Sequence, residues 1–158
     1  MTELERDSMA ERRKVHISMS MDEPDLMPML TDAIQKGLCS QFDLAIAEHV
    51  TVGRLLSHAE QSSVDLFILM LNNLIFADTR LFDNTPRWRS FEVVSRLKAI
   101  YGKPIIAFAA SWPDEMSSAE VEEETIKAGA NFFFLLPPDK QSFIDAVEQC
   151  LTVSQSSR

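Results

Sequence analysis

The run Val64-Asp65-Leu66-Phe67-Ile68-Leu69-Met70-Leu71 constrains the fold more than any other stretch of the chain. Seven of its eight residues are apolar, so the strand it predicts has no polar face. Alternating apolar and polar residues mark a strand with one wet side. An unbroken apolar run of this length marks a strand buried on both sides, as in a parallel sheet covered by helices. In open sheets of that kind, ligands and chemistry sit beyond the carboxyl ends of the strands. The functional question is therefore what stands at Met70 and what gathers round it.

The rest of the chain alternates strand and helix signals. Lys14–Ser20 sets Val15, Ile17 and Met19 against His16, Ser18 and Ser20 and predicts the first strand. Asp22-Glu23-Pro24 has the form of a helix entrance, and Leu26, Met29, Leu30, Ala33 and Ile34 recur at helical spacing up to Gly37. Phe42–Ala47 predicts a second strand; Thr51 is placed to cap a helix with Val52, Leu55, Leu56 and Ala59 on one face. The central strand follows at 65–71. An irregular segment over 72–87 then leads to a helix from about Trp88 to Tyr101, with Trp88, Phe91, Val94, Leu97 and Tyr101 on one side. Pro104–Ala109 predicts strand four. Ser117–Ala128 predicts a helix with few apolar positions, hence the most exposed one, and Phe132–Leu136 predicts strand five. Pro137-Pro138 stops that strand, and Asp139 opens a last helix with Phe143, Ile144, Val147 and Leu151 inward. Five β–α units joined by right-handed crossovers make a parallel sheet with helices on both faces. A single domain over 1–158 is expected, with its core at about 14–151, an N-terminal extension over 1–13 and a long insertion over 72–87.

Charge and composition exclude several function classes. A net charge of -9 disfavours a nucleic-acid binder, which needs a basic stripe, and disfavours docking on an anionic membrane. No apolar run approaches the ~20 residues of a spanning helix. The start of the chain is charged and has no apolar signal core, so a cytoplasmic location is expected. Met1 and the polar end suggest a complete chain. The two cysteines, Cys39 and Cys150, have no metal-type spacing and read as free thiols. Of the four glycines, Gly37, Gly102 and Gly129 follow helical stretches, where a left-handed terminating residue is wanted. None lies in a phosphate loop of the G-x-G-x-x-G or G-x-x-x-x-G-K-[ST] type. His16, His49 and His58 are scattered, none at ligand spacing from another His or Cys, so no metal and no cofactor is expected. Asp65 stands at the amino end of its strand, which predicts an edge or capping role.

Three segments carry a family resemblance: Val64–Met70; Ser90–Lys98 with its continuation Gly102–Ala110; and Lys127-Ala128-Gly129-Ala130-Asn131-Phe132-Phe133-Phe134-Leu135-Leu136-Pro137. Together they resemble the receiver domain of bacterial two-component response regulators, over roughly 14–151. The Ala-Gly-Ala before strand five and the Pro after it are the most specific parts. The resemblance implies a flavodoxin-like three-layer α/β sandwich, with a five-stranded parallel sheet in the order 2-1-3-4-5.

It also implies a chemistry: phosphoryl transfer to an aspartate at the end of strand three. A pair of acidic residues after strand one holds a divalent metal, a hydroxyl ends strand four and a lysine ends strand five. Oxygen ligands bind Mg²⁺, and the metal and the ammonium neutralise the phosphoryl oxygens. Placed on this chain, the aspartate position is Met70, the hydroxyl position Ala109 and the lysine position Leu136. The acidic pair is Met21-Asp22 or, on a second alignment, Met19-Ser20. Three positions of the implied site have become apolar, and at best Asp22 remains as a metal carboxylate. The resemblance thus implies the receiver fold without the receiver reaction. Ser111 could replace the missing hydroxyl only if strand four were shifted. A carboxylate from elsewhere, Asp78 or Asp83, could restore the chemistry.

The segment over 72–87 is the remaining functional candidate, since it exceeds the family's usual connection by about ten residues and such loops tend to be functional or disordered. Leu74, Ile75, Phe76, Leu81 and Phe82, with Trp88 just beyond, form either a partner-binding lid or a plug over the apolar end of the sheet. Glu120 and Glu122–Glu124 are a docking face for a basic partner or a solvated helix face. The expected function is a phosphorylation-independent pseudo-receiver, not an enzyme, acting on a protein partner or on itself through helix four, strand five and helix five. The alternatives are a small-ligand domain on the same fold and an unorthodox phospho-receiver with a relocated acid.

Overall fold

The computed structural model describes residues 12–21, 25–71, 90–109, 116–136 and 138–156. Strands and helices alternate: β1 (Arg13–Ser20), α1 (Leu26–Leu38), β2 (Phe42–His49), α2 (Val52–Gln61), β3 (Leu66–Met70), α3 (Ser90–Tyr101), β4 (Ile105–Ala109), α4 (Ser118–Ala128), β5 (Phe132–Leu135) and α5 (Lys140–Ser156). The strands form one parallel sheet in the order β2-β1-β3-β4-β5. The register sets Ile17 beside Leu66, Phe67 beside Ile105, and Ile106 beside Phe132.

Strand alternation divides the core in two. Ile17, Met19, Leu66, Ile68, Met70, Ile106 and Phe108 face Leu30, Ile34 and Leu38 of α1 and Phe143, Val147 and Leu151 of α5. Phe67, Leu69, Ile105, Ala107 and Ala109 face Val52 and Leu55 of α2, Val93, Val94 and Leu97 of α3, and Val121 of α4. This is the three-layer sandwich that the apolar central run demands. Leu66, Phe67, Ile68 and Leu69 have no exposed surface at all, and burying each such side chain contributes about 1.5–3 kcal/mol.

Local signals fix the ends of the helices. The Thr51 hydroxyl accepts from Arg54 N–H at 3.1 Å and caps α2. Ser117 and Glu120 form a reciprocal capping box at α4. Asp139 opens α5 by accepting from the Ser142 N–H at 2.9 Å and its hydroxyl at 2.7 Å, bonds that lower the pKa of its carboxyl.

The structure corrects several expectations. β1 begins one residue earlier than expected, at Arg13, and β2 runs on to His49 because both strands pair along their full length. Asp65 and Leu71 flank β3, Pro104 precedes β4 and Leu136 follows β5. α3, described from Ser90 onward, buries Val93 beside Val94; the expected start near Trp88 lies outside the described residues. Gly37 lies inside α1 rather than beyond it. A Cβ there would meet Ile144 Cγ2 at 3.1 Å, so its small size serves the packing of α1 on α5. Met29 is half exposed, on the flank of a buried stripe of Leu30, Ala33, Ile34 and Leu38. Asp25, in helical conformation and without a side-chain cap bond, precedes α1; the Asp22-Glu23-Pro24 entrance lies outside the described residues. α4 buries Val121 and Thr125 alone among its described positions, as its weak apolar pattern implies.

Candidate functional site

Among the described residues, backbone pairing extends past the strand ends at the carboxyl edge of the sheet, and the side chains at the ends of β3, β4 and β5 are apolar. Beyond the strand ladders, Met21 N–H donates to the His49 carbonyl at 3.2 Å, Leu71 N–H to that of Phe108 at 2.7 Å, and Leu136 N–H to that of Ala109 at 3.3 Å. Met70 is 5 % exposed and Met21 1 %. Both belong to the core beneath α1 and α5, and Leu136 packs against it. Beside Met70 in the sheet, Phe108 stacks on Phe134 at 5.6 Å between ring centres, and Phe143 of α5 lies 5.4 Å from Phe108. Ala109 is fully buried in the opposite core, under α2, α3 and α4.

Three of the positions implied by the resemblance, Met21, Met70 and Leu136, thus share one core; the fourth, Ala109, lies in the other. The groups are two thioethers, a methyl and an isobutyl, none of which donates a nucleophilic oxygen or binds Mg²⁺. Ser20, at the end of β1, is buried at 2 % exposure. Glu48, near the end of β2, is exposed and accepts from the Thr31 hydroxyl of α1 at 2.5 Å. Among the described residues no three His, Cys, Asp or Glu side chains gather where an ion could be held. Asp22, Asp78, Asp83, Ser111 and the segment with Leu74, Ile75, Phe76, Leu81, Phe82 and Trp88 lie outside the described residues.

A second locus escaped the sequence reading. Strand alternation sets Ser18 of β1 and Ala45, Ala47 and His49 of β2 on the face covered by α2, and α2 brings His58 down onto them. The His49 and His58 rings lie 4.9 Å apart at 45°. Burial, and then the neighbouring His58, lower the pKa of His49. His49 Nε2, His58 Nδ1 and Ser18 Oγ are buried without a hydrogen-bond partner. Beside them opens a cavity of about 420 Å³ lined by His16, Ala45, Ala47, His58, Ser62 and Ser63. The histidines are nine positions apart across a β–α turn. A spacing rule for one helix or one loop cannot see that pairing; the phase that sets His49 on the same face of β2 as Ala45 and Ala47, together with the inward phase of His58 on α2, could have shown it.

No protein-family model and no curated protein sequence matches the chain. Solved structures do. A response regulator receiver domain protein from Clostridium thermocellum superposes with a TM-score of 0.67 at 12% identity, over 91% of this chain and 99% of that one. The signal receiver domain of a modulated diguanylate cyclase from Desulfovibrio desulfuricans gives 0.64 at 11% identity, over 90% and 98%. The chemotaxis response regulator CheY4 of Vibrio cholerae gives 0.59 at 18% identity, over 87% and 99%. At these identities the likeness is one of fold: the chain has the flavodoxin-like architecture of receiver domains. No helix among the described residues is long and apolar enough to cross a membrane.

Proposed function

We propose that the chain is a single cytoplasmic pseudo-receiver: a regulatory module, not an enzyme, that acts through protein contacts and does not take phosphate on aspartate. The observation that carries this reading is Met70. At the position that resembles the receiver's phosphorylated aspartate stands a thioether with 5 % exposure, packed in one core with Phe108 and Phe143. A carboxylate there would be desolvated among aromatic and aliphatic groups. Leu136 and Ala109, in the lysine and hydroxyl positions, add no charge and no hydroxyl.

The contact surface in this reading is α4, β5 and α5. β5 is an edge strand, and Leu135 at its end is 41 % exposed. Glu122, Glu123 and Glu124 stand exposed on α4. An acidic face repels a second copy of itself and suits a basic partner better. The segment over 72–87 extends the same proposal as a lid or plug.

Thermal unfolding with Mg²⁺ and beryllofluoride, a phosphoryl mimic, tests the proposal. A bound mimic would raise Tm in proportion to the logarithm of its occupancy ratio. The expected result is no shift. A saturable rise that requires Mg²⁺ would overturn the proposal and show a carboxylate reaching the pocket from another part of the chain.

A further inference from the structure

The seam between α2 and the β1–β2 pair is built like the protein half of a metal site. Two imidazoles that share one ion, each nitrogen about 2.0–2.1 Å from it, have ring centres roughly 5 Å apart at a tetrahedral angle. The His49 and His58 rings are 4.9 Å apart. Each keeps a buried ring nitrogen with no partner, His49 Nε2 and His58 Nδ1. Buried polar groups are nearly always satisfied by protein, water or an ion, so unpartnered nitrogens on two adjacent rings mark a place for a further ligand. Ser18, with no exposed surface, adds a third unpartnered polar atom, its Oγ. It stands on the same face of the sheet, opposite Ala47 and two ladder positions from the Ser20–His49 pair. Ala45 and Ala47 line a cavity of about 420 Å³ that reaches the pair from the His58 side. That cavity also reaches Ser62, the residue that ends α2, where the negative end of the helix dipole favours a cation.

We propose that this seam binds an imidazole-seeking divalent transition ion of the Zn²⁺ or Ni²⁺ class through His49 and His58, with water and the Ser18 hydroxyl completing the shell. Two protein nitrogens suit borderline-soft ions, whereas Mg²⁺ and Ca²⁺ require oxygen. The ion would pin α2 to the edge of the sheet. This inference is independent of the regulatory role proposed above.

Full-length, chelator-treated protein is titrated with ZnCl₂ and, separately, with MgCl₂, and is read by calorimetry and by Tm. One equivalent of Zn²⁺ should bind and raise Tm, with Mg²⁺ inert in calorimetry. His58→Gln should weaken Zn²⁺ binding at least tenfold, and His16→Gln, on the cavity wall but outside the pair, should not. Removal of even an outer-shell partner typically costs about 10–100-fold. A Co²⁺-loaded sample gives a readout free of folding effects: tetrahedral absorption bands that disappear in H58Q and persist in H16Q. Absence of heat and of a Tm shift in the wild type would overturn the proposal. So would Zn²⁺ binding that survives the double variant His49→Gln, His58→Gln.

Discussion

Arg13 and Asp65 tie β1 to β3 at the amino edge of the sheet: Arg13 Nη2 lies 3.6 Å from Asp65 Oδ1, with the two side chains 17% and 10% exposed. The other carboxylate oxygen accepts from the His16 N–H at 2.9 Å. Asp65 N–H returns a bond to the His16 carbonyl at 2.7 Å. Arg13 Nη1 reaches on to the Leu151 carbonyl of α5 at 2.9 Å. One carboxylate therefore holds together two central strands and, through the arginine, a helix. It stands at the end of the sheet opposite the carboxyl edge.

Replacement of Asp65 by Ala removes an acceptor from the His16 amide and the ion partner from Arg13, whose buried Nη2 has no hydrogen bond of its own. The expected loss is about 1–3 kcal/mol, the cost of leaving buried polar groups unpaired. Asp65→Asn keeps an acceptor oxygen and should lose less. Urea unfolding checks this: the midpoint should fall in the order wild type, Asn, Ala, with an unchanged m-value. Equal midpoints for all three would show that the pair contributes nothing.

Much of this fold can be read from local patterns, and the exceptions share a cause. The apolar run ending at Met70 and the alternating face of β1 lead to the two-core sheet because periodicity reports directly which sides are buried. Ser117 with Glu120, and Thr51 with Arg54, are short-range signals and survive folding unchanged. Gly37 reads as a helix end in sequence and is an interior contact with Ile144, since that partner comes from a helix about a hundred positions away. Met29 fits the helical stripe but lies on its flank, because β2 is the edge of the sheet and leaves that side of α1 uncovered. Of the candidate site, Met70, Ala109 and Leu136 could be placed by resemblance, but their division between two cores could not. The His49–His58 contact depends on how α2 settles onto β2, which no single periodicity encodes.

Restoring a carboxylate at the central strand should unfold the protein before it restores any chemistry. Met70→Asp would set an acid among Phe108, Phe143 and Ile68, at a position with 5 % exposure. An unpaired buried polar group costs about 2–7 kcal/mol. Burial favours the neutral acid and raises its pKa in the native state, so the folded form holds a proton that the unfolded chain releases. Stability should then fall as pH rises through the carboxylate range. Met70→Leu, close in volume, should cost less than about 1.5 kcal/mol. The check is the urea midpoint of both variants near pH 5 and near pH 8, taken about three units apart so that a charge effect separates from a size effect. A Met70→Asp midpoint equal to wild type at the higher pH would mean that this position opens to water.

The two thiols should react at very different rates. Cys39 is exposed, whereas Cys150 is buried. Burial pushes the Cys150 thiol up to about 12, against a smaller opposing effect of Lys98. The thiolate is the reactive form, so Cys150 should be inert in the folded state. A colorimetric thiol reagent at neutral pH should titrate Cys39 promptly and Cys150 only after denaturant is added. A Cys39→Ser variant should show no prompt phase. Rapid labelling of that variant would mean that α5 opens from the sheet on the timescale of the reaction.

Acidification should loosen the edge of the sheet first. The pKa of His49 is lowered from 6.5 by burial and then by the adjacent His58, so the native state favours the neutral ring. The unfolded chain takes up a proton near pH 6.5, and the folded chain takes it up only at lower pH. Between those values the unfolded state binds more protons, so stability rises with pH there. It is complete above the unfolded value and is lost as pH falls from it toward the depressed native one. His58 faces His49 across the pair, and His16 lies on the neighbouring cavity wall. Thermal unfolding of metal-free protein from about pH 7.5 to about 5.5 should show a falling Tm. His49→Gln, which cannot take the proton, should flatten that slope, although it lowers Tm at neutral pH through lost packing. Hydrogen exchange should show amides of α2 opening before those of β3 as the pH drops, because β3 is covered on both sides and α2 rests on the edge strand. An unchanged slope in the variant would show that His49 does not carry the acid response.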